Sequence, residues 1–325
     1  MCVLLLAFSG VAQGLTATDL AVIINLSDPL SAAIGSYYVD VRHIPAANVL
    51  RVRFDPNRDD LPEAQFAAVR KALEPQIRPG VQGIALTWAR PYRVGCMSIT
   101  SAFAFGFERS FCASGCNLTR LNPYYDSPVT RPYDQLHIRP TMAIAAVDFE
   151  QAKALINRAV QADQLFPRGT AYFVSTDDRA RNVRSPEYPL AARVINKRIG
   201  VEIVHGAAIR DRPDVLFYFT GSMAVPDLAT NRFVPGAIAD HLTSFGGMLT
   251  DSSQMSSLRW LEAGAAGSYG TVVEPCAFPA KFPDVRVVTT RYLTGETLLE
   301  AYWKSVLMPG QGVFVGDPLT APFRP

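Results

Sequence analysis

The stretch that decides the fold runs from Asp214 to Cys276. It begins with a strand-like run, Val215-Leu-Phe-Tyr-Phe219, which leads into Thr220-Gly-Ser222. An amphipathic, helix-like segment follows at Ile238-Ala-Asp-His-Leu242, and a second strand-like run, Gly247-Met-Leu-Thr250, then reaches Asp251-Ser-Ser253. This alternation is typical of two adjacent parallel strands whose carboxyl ends open onto one crevice, where open α/β sheets bind ligands. We therefore expect a site at this point of the chain.

The same alternation of strands and helices continues on both sides of this stretch. It predicts an α/β fold with one mainly parallel sheet and helices on both faces. The 325 residues allow one large domain over 15–325, or two α/β halves of about 15–150 and 151–325. The other predicted strands are 20–25, 48–54, 81–87, 141–146, 169–174, 201–204, 268–273 and 312–316, and the predicted helices include 61–73, 149–165, 190–195 and 297–307.

Residues 88–140 interrupt this alternation. The segment is rich in Phe, Ser, Pro and Tyr, and it holds three of the five cysteines. We predict an ordered insertion folded over the edge of the sheet. Segments of this length in compact domains are often functional, so a lid and a purely structural flap are both open interpretations.

The composition excludes several classes of function. With 49% hydrophobic residues the chain can bury a large core. The net charge is only +2, and Lys and Arg are scattered along the chain. This gives no electrostatic signature of nucleic-acid binding or of binding to an anionic membrane surface.

The first residues resemble a secretory leader. Residues 1–14 combine an apolar run with small residues near Ala12 and Gly14, as at a signal-peptide cleavage site. A basic start is missing, so either the true start lies upstream or this run is a buried first strand. No other stretch approaches the about 18 apolar residues of a membrane span. We expect an exported protein, periplasmic or extracellular, without a membrane span.

The cysteines fit an oxidising compartment. Loss of the leader would remove Cys2 and leave four cysteines, an even number. Cys112 and Cys116 are close in sequence, with no second metal-ligand pair nearby, so a disulfide between them is predicted. Cys96 and Cys276 are then either free and buried or paired with each other.

The histidines and glycines form none of the common metal-binding or cofactor-binding motifs. His43, His137, His205 and His241 lie far apart, and none has a partner at the i, i+4 spacing of a zinc helix. The chain also lacks a Walker loop, a Gly-x-Gly-x-x-Gly motif and a Gly-x-Ser-x-Gly elbow. We predict no metal site and no cofactor.

Nucleophilic catalysis requires a nucleophile beside a base. The candidate nucleophiles at predicted strand ends include Ser252, Ser253 and Cys276, although a buried or disulfide-bonded thiol is the simpler interpretation of Cys276. Asp251, His205 and His241 are the candidate bases, while His241 also fits a surface position on its predicted helix and His205 a position in a loop. The candidate binding residues around the crevice are Thr220, Gly221, Ser222, Asp251, Ser252 and Glu274.

Six short segments form a recognisable set: Ile44-Pro45 with Asn48-Val49, Arg90-Pro-Tyr92, Arg131-Pro-Tyr-Asp134, Arg259-Trp-Leu-Glu-Ala-Gly264, Ser268-Tyr-Gly-Thr-Val-Val-Glu-Pro-Cys276 and Gly295-Glu-Thr-Leu-Leu-Glu-Ala-Tyr302. Together they resemble an uncharacterised family of exported bacterial proteins, and this resemblance implies no activity. The half from Asp214 onward, with Gly316-Asp-Pro318 near the last strand, is also distantly similar to gingipain-type cysteine peptidases of the caspase-like fold.

The peptidase resemblance fails at the catalytic positions. Where that fold has His-Gly this chain has Thr220-Gly-Ser222, and where it has the nucleophilic Cys this chain has Asp251-Ser-Ser253. A serine hydroxyl without an adjacent base is a weak nucleophile. The sequence therefore favours a catalytically silent caspase-like domain that binds a peptide, a protein or a cell-surface polymer. The alternative is a serine-dependent hydrolase that uses the same crevice, with backbone amides near Gly221 as the oxyanion hole.

Overall fold

The structure, a computed structural model, describes residues 14–113 and 116–325, so most of the predicted leader lies outside the described residues. Buried apolar runs form the strands and amphipathic runs the helices. The strands are β1 Leu20–Asn25, β2 Val49–Val52, β3 Gly83–Leu86, β4 Arg93–Val94, β5 Met97–Ser98, β6 Thr141–Ala143, β7 Thr170–Ser175, β8 Gly200–His205, β9 Val215–Gly221, β10 Phe233–Leu242, β11 Gly267–Thr271 and β12 Gly312–Gly316. The helices are α1 Pro29–Val41, α2 Glu63–Leu73, α3 Ile99–Phe105, α4 Pro132–Leu136, α5 Phe149–Ala162, α6 Tyr188–Ile195, α7 Leu258–Ala263, α8 Val285–Leu293 and α9 Leu298–Ser305.

Ten of the strands form one sheet in the order β2-β1-β3-β6-β12-β11-β10-β9-β7-β8. Eight of its nine neighbouring pairs are parallel, β1 with β2 and β3, β6 with β3 and β12, β7 with β8 and β9, and β10 with β9 and β11, while β12 runs antiparallel to β11. The prediction of a mainly parallel α/β sheet is confirmed. Among the described residues, no helix has both the length and the apolar character needed to cross a membrane.

Helices cover both faces of the sheet. Successive residues of a strand point to opposite faces. Phe173 of β7 packs against Tyr188 of α6, with ring centroids 5.4 Å apart. Tyr218 of β9 packs against Trp260 of α7, with ring centroids 4.8 Å apart. Because Phe173 pairs in register with Phe219, the neighbour of Tyr218, α6 and α7 lie on opposite faces.

The predicted helix at 238–242 is wrong, because these residues belong to strand β10. All five are buried. Asp240 and His241 gave the segment its amphipathic pattern, but they point to opposite faces and each has an internal partner, Arg184 and Trp260 respectively. A strand buried on both faces is normally apolar throughout. Two polar residues inside such a strand produced a pattern that resembles an amphipathic helix.

The predicted strand at 247–250 is also wrong. Residues 243–257 form the loop between β10 and α7. Gly247 explains the tight course of this loop: a Cβ at Gly247 would lie 2.4 Å from the carbonyl oxygen of Gly270 in β11. The loop therefore lies directly against the end of β11, and the strand that neighbours β9 is β10.

The predicted Cys112–Cys116 disulfide is wrong. Cys96 is bonded to Cys112 with Cα atoms 5.4 Å apart, and Cys116 is bonded to Cys276 with Cα atoms 5.3 Å apart. Both separations fall in the normal range for disulfides. Cys96 and Cys276 are therefore neither free nor paired with each other. The second bond spans 160 residues and ties the 88–140 segment to the loop after β11, a proximity that sequence spacing does not reveal.

Candidate functional site

Strands β9, β10 and β11 run parallel and end at one edge of the sheet, here called the carboxyl edge, and the segment that follows β3 reaches this edge. Ser98 and Thr100, in the segment after β3, donate hydrogen bonds of 2.5 and 3.0 Å to the carbonyl oxygen of Gly312. Gly312 pairs with Thr271 at the carboxyl end of β11. Ligand sites of open α/β sheets lie at such an edge.

Protein groups fill the part of this edge that follows β9. The carbonyl of Gly221 accepts a 2.6 Å hydrogen bond from Thr176. A Cβ at Gly221 would lie 2.0 Å from the carbonyl oxygen of Arg181, so the 176–182 loop packs directly on the strand end. Thr220 is fully buried, and the Ser222 hydroxyl donates to the Ala224 carbonyl at 2.7 Å. Thr220 and Gly221 are therefore packed inside the protein, and the Ser222 hydroxyl is bonded to the chain itself. These three predicted binding residues stabilise the carboxyl edge and leave few groups free for a ligand.

The end of β10 is bridged by side chains in the same way. Arg181 Nε donates to Thr243 Oγ1 at 3.0 Å, and Thr243 donates to Gln254 Oε1 at 2.6 Å. Gln254 also accepts from the backbone amide of Phe245 at 2.8 Å. This network fixes the 243–257 loop over the strand.

The two candidate serines lie on that loop without a base beside them. Ser252 Oγ donates to the Phe245 carbonyl at 2.8 Å and accepts from the Gln254 amide at 3.0 Å, as in a serine-closed turn. Ser253 is exposed, and its hydroxyl has no hydrogen-bond partner within the described parts of the chain. Neither hydroxyl has the contact with an imidazole or carboxylate that activates a nucleophile.

His241 is fully occupied inside the protein. Its ring is 1% exposed. Nδ1 accepts a 2.9 Å hydrogen bond from Trp260 Nε1, so Nε2 carries the proton and donates to the Met255 carbonyl at 3.0 Å. Burial lowers the pKa of His241 to about 3. Through its bond to Met255, His241 holds the 243–257 loop in place. It is not placed to act as a base for Ser252 or Ser253.

His205 lies far from the serines. It ends β8, the outermost strand, where it is exposed and pairs in register with Ser175. Two strands separate β8 from β10, which corresponds to about 14 Å at the usual interstrand spacing of about 4.8 Å.

The loop after β11 carries two further candidates. Glu274 is exposed, and its carboxylate accepts a 2.7 Å hydrogen bond from the Cys276 amide. Cys276 is disulfide-bonded to Cys116 and so has no free thiol to act as a nucleophile. Across residues 14–113 and 116–325, no group of three or more His, Cys, Asp or Glu side chains is placed to hold a metal ion.

Asp251 lies in a polar cluster that the sequence did not reveal. The hydroxyl of the buried Tyr92 donates to Asp251 Oδ2 at 3.2 Å. Arg90 Nε is 2.9 Å from Asp59 Oδ1, and Arg90 Nη2 is 3.8 Å from Asp251 Oδ2. The side chains of Asp59, Arg90 and Asp251 are 36%, 32% and 31% exposed, so solvent or a ligand can reach them. We call Asp59, Arg90, Tyr92 and Asp251 the carboxyl-pair cluster.

Asp251 disfavours the ionised form of Asp59. Burial, a hydrogen bond with Asp251 and the negative charge of Asp251 together raise the pKa of Asp59. Neighbouring carboxylates repel each other, which is the physical cause of this direction. Burial and the bond to Asp251 raise the pKa of Tyr92, so its phenol keeps its proton and remains a donor. The cluster thus combines two neighbouring carboxyl groups with one guanidinium near both.

One comparison with known proteins bears on the fold. No protein-family model matches the chain, and no curated protein matches it. A solved structure described as that of a protease is similar, with a TM-score of 0.50, 9% sequence identity, and coverage of 95% of this chain and 79% of that chain. At this identity the similarity concerns the fold alone. The chain has a peptidase-like α/β fold, consistent with the caspase-like architecture expected from its sequence.

Proposed function

We propose that the chain is a peptidase-like domain that binds an extended peptide or a cell-surface polymer at the carboxyl edge and does not cleave it with a serine or cysteine nucleophile. The observation that carries this proposal is the half-exposed carboxyl-pair cluster. It joins the loop after β2, which holds Asp59, to the loop after β10, which holds Asp251.

The chemistry of the cluster suits an amide or hydroxyl ligand. The carboxylate oxygens of Asp59 and Asp251 are hydrogen-bond acceptors, and a peptide group needs both an acceptor and a donor. Arg90 adds N–H donors beside the pair, and Tyr92 fixes the orientation of Asp251 from the buried side. Hydrogen bonds that involve charged groups are the stronger ones, so this cluster can hold one ligand group in a defined orientation.

The contacts of the candidate nucleophiles support binding over catalysis. The hydroxyl of Ser252 closes a turn and Cys276 is in a disulfide. His241, the imidazole below the loop, is buried with both ring nitrogens bonded. A nucleophile–base pair needs heavy atoms within about 3 Å, and these residues do not form one.

We expect wild-type protein to bind a subset of spots on a cellulose array of unrelated peptides, or of bacterial surface glycans. Asp59→Asn and Asp251→Asn should each weaken that binding by about tenfold, because each removes one member of a charge-assisted pair. Titration of a retained peptide, followed by fluorescence polarisation, measures the change.

The matched control is Asp40→Asn, which removes one exposed carboxylate near the end of α1 and leaves the cluster intact. Binding that is equal in Asp251→Asn and in wild type would place the ligand elsewhere. Labelling of wild-type protein by a fluorophosphonate probe, abolished by Ser252→Ala or Ser253→Ala, would contradict the silent interpretation and establish the serine-hydrolase alternative.

We also propose that the protein is exported. Two disulfides support this, because such bonds persist in oxidising compartments. Mass spectrometry of protein from its native host should find a mature amino terminus near residues 12–14. An intact Met1 in a cytoplasmic fraction would refute export.

The disulfide pairing has its own test. Non-reducing peptide mapping should find the Cys96–Cys112 and Cys116–Cys276 links. A peptide with Cys112 bonded to Cys116 would refute this pairing.

A further inference from the structure

We propose that the opposite edge of the sheet carries a second binding site, for an organic anion with a flat apolar body. A cavity of about 740 Å³ lies there, beside Gly169 and Gly200 at the amino ends of β7 and β8. This volume is in the range of small-molecule sites, about 300–1,000 Å³. The proposal does not depend on the function proposed for the carboxyl edge.

The charge of this cavity has one sign. Arg168, Lys197 and Arg198 line it, and none of its lining residues is Asp or Glu. Arg198 donates to the Leu293 carbonyl at 2.9 Å, which holds its guanidinium at the wall. In the described part of the chain, the side chains of Arg168 and Lys197 have neither an ion-pair nor a hydrogen-bond partner. Three cations without a counter-ion in one concave site attract an anion.

An aromatic wall stands next to these cations. Phe166 and Phe323 line the same cavity, with ring centroids 6.4 Å apart in an edge-to-face arrangement. The Phe166 side chain is exposed, and its backbone has a φ of 49°, in the left-handed region. A bulky residue rarely adopts this conformation, and residues held in it cluster at functional sites.

The two walls together define the ligand class. The cations require a carboxylate, sulfonate or phosphate, and the rings offer a surface on which a flat apolar group can stack. The positive charges of the site would repel a metal ion, and a neutral apolar molecule would make no ionic contact with them. The site therefore fits an amphiphilic organic anion.

The probe for this site is 1-anilinonaphthalene-8-sulfonate, and N-phenyl-1-naphthylamine has the same rings without the sulfonate. We expect the sulfonate probe to bind wild-type protein with saturable fluorescence, and the neutral probe to bind at least tenfold more weakly. Arg168→Gln/Lys197→Gln should weaken binding of the sulfonate probe by about tenfold, and Phe166→Ala should weaken binding of both probes. Added salt should weaken binding of the sulfonate probe and leave binding of the neutral probe unchanged.

The matched control is Arg51→Gln/Arg53→Gln, which removes the same charge from exposed arginines in and next to β2. The control should bind the sulfonate probe as wild type does. Circular dichroism confirms the fold of each variant, which is expected because the Arg168 and Lys197 side chains make no hydrogen bond or ion pair within residues 14–113 and 116–325. Wild-type affinity in Arg168→Gln/Lys197→Gln, an equal loss in the control, or equal binding of the neutral probe would each overturn the proposal.

Discussion

Asp240→Ala should destabilise the protein by about 3–5 kcal/mol, because it leaves a buried guanidinium without its counter-ion. Arg184 and Asp240 are each 1% exposed at the side chain, and their N and O atoms are 2.5 Å apart. Arg184 would keep only its bonds to the carbonyls of Thr220 and Pro283, at 2.9 and 3.2 Å. Urea unfolding followed by far-ultraviolet circular dichroism measures the loss as a lower midpoint at unchanged slope.

Two further variants separate the loss of the ion pair from the loss of packing. Asp240→Leu/Arg184→Met replaces the pair with apolar side chains, and its stability should return to within about 2 kcal/mol of wild type, since such replacements are often neutral or stabilising. Glu63→Gln breaks an exposed pair with Arg109, whose side chain is 78% exposed, and should cost less than about 1 kcal/mol. A loss in Asp240→Ala as small as that in Glu63→Gln would show that Arg184 is solvated after all.

The Arg184–Asp240 pair also shows why part of the fold could be predicted and part could not. Runs such as 20–24 and 215–219 are apolar throughout, and this pattern correctly predicted buried parallel strands. Asp240 and His241 broke the same pattern in β10. Their partners, Arg184 and Trp260, lie 56 and 19 positions away, so nothing local indicates that the two polar side chains are paired inside the sheet.

The candidate site, like the fold, is only partly predictable from the sequence. The pattern of polar residues at strand ends predicts a site residue at Asp251, which lies in the carboxyl-pair cluster, although the strand predicted before it does not exist. Its neighbours in the carboxyl-pair cluster come from the other half of the sheet: Tyr92 is 159 positions away in sequence. In the sequence, Arg90-Pro-Tyr92 belongs to a family resemblance that implies no site, and no pattern around Asp59 marks it as a site residue. Long-range contacts of this kind require the strand order, which a single sequence does not give.

His241 makes a separate prediction, about acid stability. Its pKa falls from 6.5 to about 3 on folding because burial disfavours the charged ring. Between these values the unfolded chain binds a proton that the native protein does not, so stability decreases as the pH falls below about 6.5. One pKa unit corresponds to about 1.36 kcal/mol, so this histidine can remove about 4–5 kcal/mol of stability by pH 3.

His241→Gln should remove this acid sensitivity. Glutamine can donate to the Met255 carbonyl and accept from Trp260 without titrating, so the variant should lose about 1–2 kcal/mol near neutral pH and then change less with pH than wild type. In urea unfolding at several pH values between about 4 and 7, wild-type stability should fall relative to the variant by up to about 1.4 kcal/mol for each unit of pH, so that the two are equal between about pH 5 and 6 and the variant is the more stable below that. The control is His205→Gln, which alters an exposed ring at the end of β8 and should follow the wild-type profile. Parallel profiles for His241→Gln and wild type would mean that the ring between Trp260 and Met255 is protonated in the native protein, and the hydrogen bond from Trp260 to Nδ1 would then have to be abandoned.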